Sequence, residues 1–440
     1  MTDNDQQSEF AHLFRNSAPY INAFREKTFV VVFSGEALLS GNFDVLAHDF
    51  ALLQSLGIRL VLVYGARPQI EKRLSEKNIS TPIHNNVRVT DEQAMHCVKD
   101  AVGSVRADIE ALLSMGLANS PMAGARLRVT SGNFVIAKPY GIRDGIDYQF
   151  TGQIRRIDDS AINKQLNDGC IVLLSPLGYS PTGEIFNVTA ESVATATAKA
   201  LNAHKLIYLT EGLEILNEQK QPVNQLSLQD VDKLLTGNTN LNPDIHHILT
   251  SAVQVCRHGV RRVHIINRKI DGALLQELFT RDGAGTLVSS DLYEGTRAAN
   301  IDDVSNILEL IKPLEQEGIL VRRSRERLEM EIEKFIVLER DGMIVGCAAL
   351  YPYEAESIAE LACLAVHPDY QKHGRGENLL EYAEKLAQQK NIKKLFVLST
   401  QTSHWFKERG FVESTLDFLP VERKQLYNYQ RNSKVFLKTL

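Results

Sequence analysis

Two glycines one residue apart, preceded by a glutamine and set between an apolar run and an amphipathic one, carry the sharpest chemical signal in the chain. The segment LAVHPDYQKHGRGENLLEYAEKLA reads as a strand ending at Val366, a turn through Gln371, Lys372, His373, Gly374, Arg375 and Gly376, and a helix over 377–389. Glycine lets a backbone approach a ligand closely, and the first-turn N–H groups of a helix, at the positive end of its dipole, hold a diphosphate. The turn therefore reads as an anion cradle; the bland alternative is a tight strand-to-helix turn without a ligand. A dinucleotide fingerprint does not fit, because it needs GxGxxG early in a βαβ unit, and the other candidate pair, Gly283 and Gly285, follows a helix.

Around this cradle the spacing predicts an α/β domain. After residue 286 come a helix over 301–316, a basic run over 322–327 and two strands, FIVLER and MIVGCAALY, joined by Asp341 and Gly342. A DG pair between apolar runs is the strongest short hairpin signal. The strands AELACLAV and KKLFVLST follow, one on each side of the cradle and its helix, and then a final helix and strand. Upstream, over 28–286, the β-rich runs TFVVVFSG, IRLVLVYG, CIVLLSP, HKLIYLTEG and RRVHIIN alternate with helical patterns at 44–56, 190–201, 243–258 and 271–279. Such alternation predicts a mainly parallel sheet with helices on both faces. Before it, Phe10, Leu13 and Phe14 repeat at helical spacing in a segment ending at Pro19, which predicts a short helix outside the domain. The layout expected is an N-terminal arm at 1–20, a first domain at 21–288, a polar connection at 289–298 and a second domain at 299–440.

With 440 residues, two or three domains are expected. The net charge of -5 argues against phosphate-backbone or anionic-lipid partners, so neither nucleic acid nor membrane is expected. Five dispersed cysteines without CxxC spacing fit neither a disulfide framework nor a zinc site, and no metal is expected. The polar start MTDNDQQSEF and the lack of a long apolar run point to the cytoplasm.

The order strand, QxxGxG, helix after a DG hairpin closely resembles the acyl-CoA loop of the GCN5-related N-acetyltransferase superfamily. By that resemblance the acetyl group of acetyl-CoA lies where AELACLAV and KKLFVLST part, the pantetheine pairs with Leu364, Ala365 and Val366, and a main-chain N–H near Leu364 polarises the thioester carbonyl. The strings VYGARPQI, TGQIRRID and HIINRKIDGALLQELFT resemble the amino-acid kinase fold, an αβα sandwich, as it occurs in the first domain of bacterial N-acetylglutamate synthases. The likeness to that family covers nearly the whole chain. It implies acetyl transfer from acetyl-CoA to the α-amino group of L-glutamate by direct attack in a ternary complex, as the first step of arginine biosynthesis. Acetylglutamate kinases carry a lysine on the first strand and glycines after the second, where this chain has Phe33 and Ala66 with Arg67; a degenerate regulatory kinase domain is implied, with a kinase-active enzyme as the alternative.

The resemblance also assigns roles. An ammonium must lose a proton before its nitrogen attacks, and Glu360, at the start of an apolar strand, is the base implied; desolvation there would raise its affinity for a proton. Phe406 stands where many superfamily members carry a proton-donating tyrosine, so Ser399 is the implied donor to the CoA thiolate. Arginine binds carboxylates through two parallel hydrogen bonds, and glutamate has two carboxylates. Arg323 and Arg431 are the implied pair, with Ser433 and the backbone of Cys363 completing the pocket. Against Arg323 stands its run of neighbours, Arg322, Arg325 and Arg327, which reads equally as a solvated face. L-Arginine is the implied inhibitor, held by Tyr20, Lys205, Glu277 and Gly283. The N-terminal helix and the resemblance together imply a homo-oligomer and suggest a hexamer.

Overall fold

The computed structural model describes all residues except 1–2, 42, 85–86, 117–118, 217–220, 238–240, 281, 291–293, 341, 372–373, 401–402 and 429–431, and no side chain for 3–10 and 12. The chain divides into two compact units, Met1–Asp291 and Leu292–Leu440.

In the first unit the apolar runs form an eight-stranded sheet: β1 (Thr28–Phe33), β2 (Arg59–Tyr64), β3 (Val129–Thr130), β4 (Ile171–Leu174), β5 (Lys205–Thr210), β6 (Gln225–Ser227), β7 (Arg262–Asn267) and β8 (Thr286–Ser289). Their order is β6-β8-β7-β5-β1-β2-β4-β3, and every ladder is parallel except β7/β8. Successive strand side chains point to opposite faces, so β1 sends Val31 and Phe33 to one core and Val30 and Val32 to another. The first core lies against α2 (Phe43–Ser55), α3 (Glu92–Leu113) and α6 (Ala273–Phe279), the second against α4 (Ala190–Ala200) and α5 (Pro243–Arg257). That double cover explains why β1 is buried along its whole length.

The N-terminal helix corrects one expectation. α1 runs Asp3–Phe24 with Pro19 inside it, not ending there. Proline removes one backbone hydrogen bond, but beyond it Tyr20, Ile21 and Phe24 pack on the first core and hold the last turns. Ser17 Oγ also donates to the carbonyl of Phe279 at 3.1 Å. Leu13 and Phe14 remain exposed.

The second unit is a seven-stranded sheet of β9 (Glu294–Ala298), β10 (Phe335–Arg340), β11 (Met343–Tyr353), β12 (Ile358–Val366), β13 (Lys394–Ser399), β14 (Val412–Ser414) and β15 (Lys434–Thr439), in the order β9-β10-β11-β12-β13-β15-β14. β9 falls inside the stretch expected to be a connection. Its polar residues serve an edge strand, where one face meets solvent and Arg297 bonds Asp303 and Glu339. Asp341 of the expected hairpin lies outside the described residues, but β10 and β11 pair as foreseen and Gly342 takes φ 77°. One sheet face packs on α9 (Arg375–Gln389), the other on α7 (Val304–Gln316) and α8 (Arg325–Glu331).

Candidate active site

The chemistry of the second unit is set by one interruption. β12 and β13 are parallel neighbours, yet they pair only over Ile358–Glu360 with Lys394–Phe396, while β12 continues to Val366 and β13 to Ser399. The bend has a visible cause. On its other side β12 pairs Ala362 with Ala349 and Ala365 with Cys347, so Cys363 and Leu364 together face one residue, Ala348. This bulge puts Cys363 at φ 53°, in the left-handed region, and a bulge bends the strand that carries it. Beyond Glu360 the backbone of β12 no longer pairs with β13, and the two strands part.

Glu360 is the last ladder residue before the split. Its side chain is 9% exposed, and its two oxygens accept from Nε and Nη2 of Arg423 at 2.6 and 3.0 Å. The burial expected of its place at an apolar strand is present, and it comes with a countercharge: the carboxylate is buried and ion-paired. Arg423 sits on the short helix α10 (Val421–Gln425), and its Nη1 donates to the carbonyl of Leu426. Burial opposes its charge, but Glu360 outweighs burial and raises the guanidinium pKa. Tyr353, on the facing strand, has its phenol pushed up to about 12 by burial and then by the charge of Glu360.

Arg323 separates from its neighbours as the pocket reading requires. Arg325 and Arg327 lie on the solvent side of α8, paired with Glu329 and Glu331, whereas Arg323 is half-buried beside Tyr351 and Cys363. Burial disfavours its charge, yet those two groups leave its pKa raised. Its backbone N–H donates to Glu315 and its guanidinium lies over the Phe335 ring. Tyr351, directly across the ladder from Glu360, donates to Glu331 at 2.6 Å and carries a raised pKa, chiefly through burial. Ser433 is buried, and its carbonyl accepts from Tyr427 Oη at 2.7 Å. Ser399 is buried at the end of β13. Arg431 lies outside the described residues, as do Lys372 and His373.

At the cradle, Gly374 takes φ 72° as the N-cap of α9, a conformation that favours glycine. A Cβ on Gly376 would meet the Trp405 ring at 3.1 Å. Gln371 donates to the carbonyl of Val366 at 3.3 Å. Leu364, Ala365 and Val366 form the end of β12, with Val366 paired to Gly346. Arg375 contributes two different things. Its backbone opens the helix, but its side chain turns inward, where Nε and Nη2 donate to Glu294 at 2.8 and 2.9 Å and Nη1 to the carbonyl of Tyr370. The guanidinium thereby ties the loop to β9 and to Tyr370.

In the first unit the four residues assigned to arginine come together, with a fifth that sequence reasoning missed. Lys205 Nζ lies 3.0 Å from His264 Nε2, and His264 Nδ1 lies 2.6 Å from Glu277 Oε1. An ammonium can only donate, so the imidazole carries its proton on Nδ1. Burial, and then the charge of Lys205, push the His264 pKa down to about 4. Glu277 Oε2 accepts from the amides of Ala284 and Gly285 at 2.7 and 2.8 Å. Burial would raise the Glu277 pKa, but His264 and these amides leave it lowered. Gly283 sits at φ 65°, and a Cβ there would meet Glu277 Oε2 at 2.4 Å. Tyr20 packs at a tilt against Phe24, whose ring lies under Lys205. His264 sits inside the apolar strand RRVHIIN, and that position was the available signal.

Among the described residues no group of three or more His, Cys, Asp or Glu is placed to hold a metal, and no helix is long and apolar enough to cross a membrane.

Comparison with known proteins gives this geometry a setting. The amino acid kinase family model matches residues 27–267, and the acetyltransferase (GNAT) domain model matches 331–413. The amino-acid acetyltransferase of Ectopseudomonas mendocina is 52% identical over 98% of this chain and all of its own, and that of Serratia proteamaculans 50% over 99% and all of its own. The crystal structure of N-acetylglutamate synthase from Neisseria gonorrhoeae complexed with coenzyme A and L-arginine aligns at TM-score 0.88 and 38% identity, covering 98% of this chain and 99% of that one. The same synthase complexed with coenzyme A and N-acetyl-glutamate aligns at TM-score 0.63 and 39% identity with the same coverage. An amino-acid kinase-like domain followed by an acetyltransferase domain, matched end to end by relatives half identical to it, makes this chain an acyltransferase that belongs to the amino-acid acetyltransferase family.

Proposed function

We propose that this enzyme is an N-acetylglutamate synthase that transfers acetyl from acetyl-CoA to the α-amino group of L-glutamate in the cytoplasm, the first step of arginine biosynthesis. The observation that carries the reading is the buried Glu360 carboxylate at the point where β12 and β13 part. The acceptor ammonium gives a proton to Glu360, and the freed nitrogen pair attacks the thioester carbon. The oxyanion that forms is stabilised by a main-chain N–H near Leu364, at the bulge. The C–S bond then breaks, the nitrogen sheds its second proton as the amide forms, and that proton passes to the thiolate through Ser399 or water, which is left with its own proton restored. Arg323 and Arg431, with Ser433 and the backbone of Cys363, hold the two substrate carboxylates. Residues 364–366 hold the pantetheine, and the turn from Gln371 to Gly376 holds the diphosphate, with Arg375 tying it to β9. No step needs an acyl-enzyme, and buried Cys363 acts through its backbone.

L-Arginine inhibits through the first unit, where its cationic and anionic groups meet Glu277 and Lys205 beside Gly283 and Tyr20. Two structures of one relative support both ligands: the Neisseria gonorrhoeae synthase was crystallised with coenzyme A and L-arginine, and with coenzyme A and N-acetyl-glutamate. The exposed Leu13 and Phe14 of α1 support assembly as a homo-oligomer. Against the alternative of an active kinase stands the end of β1, where Ser34 and Arg268 both bond Glu211. That carboxylate is already matched by a guanidinium at the strand ends where ligands of such sheets bind. An acetyl-CoA consumption assay across free amino acids, with and without arginine, tests the reading. Glutamate should be the preferred acceptor and arginine should slow the reaction; preference for another amino acid would refute the substrate assignment.

A further inference from the structure

We propose that Cys347 and Cys363 form a redox-modification site: a hydroperoxide joins them in a reversible disulfide across β11 and β12, and the bridge switches acetyl transfer off. The loss of activity rests on the reading of the Cys363–Leu364 bulge as part of the acetyl-transfer site; the bridge itself does not.

The proposed mechanism leaves both thiols idle, yet they are placed as a pair. They lie on neighbouring antiparallel strands, in the one core that α7 and α8 cover. Cys347 Sγ donates to the carbonyl of Cys363 at 3.5 Å, and the two thiols are also hydrogen-bonded to each other. A buried strand cysteine ordinarily behaves as a small hydrophobe. This pair differs, because each sulfur has the other within reach and the guanidinium of Arg323 acts on both. A neighbouring cation favours the thiolate, which is the reactive form.

The two sulfurs are unequal. The bond from Cys347, and then Arg323, hold the Cys363 thiol below the ordinary cysteine range against the effect of burial. Its bond to Cys363, and then burial, push the Cys347 thiol well above that range. Cys363 also keeps 6% of its surface exposed, and Cys347 none. Cys363 is therefore the sulfur that meets the oxidant, and Cys347 the one that closes the bridge.

The Cys363 thiolate attacks an oxygen of the hydroperoxide, the O–O bond breaks, and a sulfenic acid forms while the departing oxygen takes up the thiol proton. Cys347 then gives up its proton, its sulfur attacks the Cys363 sulfur, and the hydroxyl leaves with that proton as water. Two electrons pass from the thiol pair to the hydroperoxide, which ends as water and an alcohol, or as two waters from hydrogen peroxide. An S–S bond is only about 2.05 Å long, so closing it pulls on the bulge that carries the Leu364 amide. A misplacement of about 1 Å in a catalytic site can cost about a hundredfold in rate. Small thiols reopen the bridge by exchange.

The test treats the full-length enzyme with hydrogen peroxide, follows acetyl-CoA consumption with its preferred acceptor, and maps the cysteines by peptide mass spectrometry after alkylation. A linked Cys347–Cys363 peptide should appear, turnover should fall at least about tenfold in step with it, and dithiothreitol should reverse both. Cys347→Ala should begin near wild-type turnover. Lacking the second sulfur, it should carry Cys363 on to the sulfinic acid, so that dithiothreitol no longer restores activity. The proposal is overturned if oxidised wild type holds no such link, if the link forms without loss of turnover, or if Cys347→Ala loses and regains activity as wild type does. Should Cys347→Ala fail to fold, the wild-type link and its reversal decide alone. The link is read by mass and the rate with whichever acceptor the enzyme prefers, so failure of the glutamate assignment leaves this test intact.

Discussion

Two buried carboxylates, Glu360 in the second unit and Glu277 in the first, are held in different ways. Among the described residues Glu360 has one hydrogen-bonding partner, a guanidinium on a five-residue helix, and it lies where two strands part. Glu277 has three, the imidazole of His264 and the amides of Ala284 and Gly285, all on or beside the sheet. Both carboxylates have both oxygens engaged, but a side chain on a short helix can give way to a substrate, whereas main-chain amides cannot. A group with every oxygen engaged by fixed donors is suited to keeping its charge. The difference supports the proposed roles, proton transfer for Glu360 and recognition of a cation for Glu277.

The largest effect that would sharpen this contrast is at Glu360. Glu360→Gln should lower turnover by about a hundredfold or more while acetyl-CoA affinity by calorimetry stays near wild type. Turnover near wild type at neutral pH would erase the distinction between the two carboxylates.

The next effect is on stability and belongs to the first unit. The His264 pKa falls from 6.5 to about 4 on folding, so between those values the unfolded chain binds a proton that the folded chain does not. The stability this gives is complete above pH 6.5 and is lost as pH falls toward 4, by an amount of order 3 kcal/mol at most. The lowered Glu277 pKa acts in the same direction at more acid pH. The thermal midpoint of the first unit should therefore drop across that window in wild type and drop less in His264→Asn; equal slopes would show that the Lys205–His264–Glu277 relay does not hold its charges as drawn.

Much of this was legible in the residues. The period-2 and period-3.6 patterns located the strands and most helices, and QxxGxG located the cradle, because these features depend on local backbone geometry. Arg423 was not legible: in PVERKQ it looks like one of several charges on a solvated face, and only the return of the chain past β12 brings it to Glu360. The inward turn of Arg375 was hidden for the same reason, since Glu294 lies 81 residues away in a stretch that reads as a connection. α1 was misjudged because proline signals a helix end locally, whereas packing by Tyr20, Ile21 and Phe24 decides the matter.

A smaller effect tests the cradle. Gly376→Ala places a methyl 3.1 Å from the Trp405 ring, which is itself held by Phe406 and Arg409. Mild overpacking of this kind costs about 1 kcal/mol or slightly more, so KM for acetyl-CoA should rise up to about tenfold with KM for glutamate little changed. Equal rises in both would mean that the substitution disturbs the domain and not the loop.

The most direct test of separate roles is the steady-state rate of Glu277→Gln as L-arginine is raised into the millimolar range. The account predicts wild-type turnover without arginine and little or no inhibition with it, since the amide lacks the charge that meets a guanidinium. Inhibition equal to that of wild type would contradict it, and would place arginine's site away from Glu277.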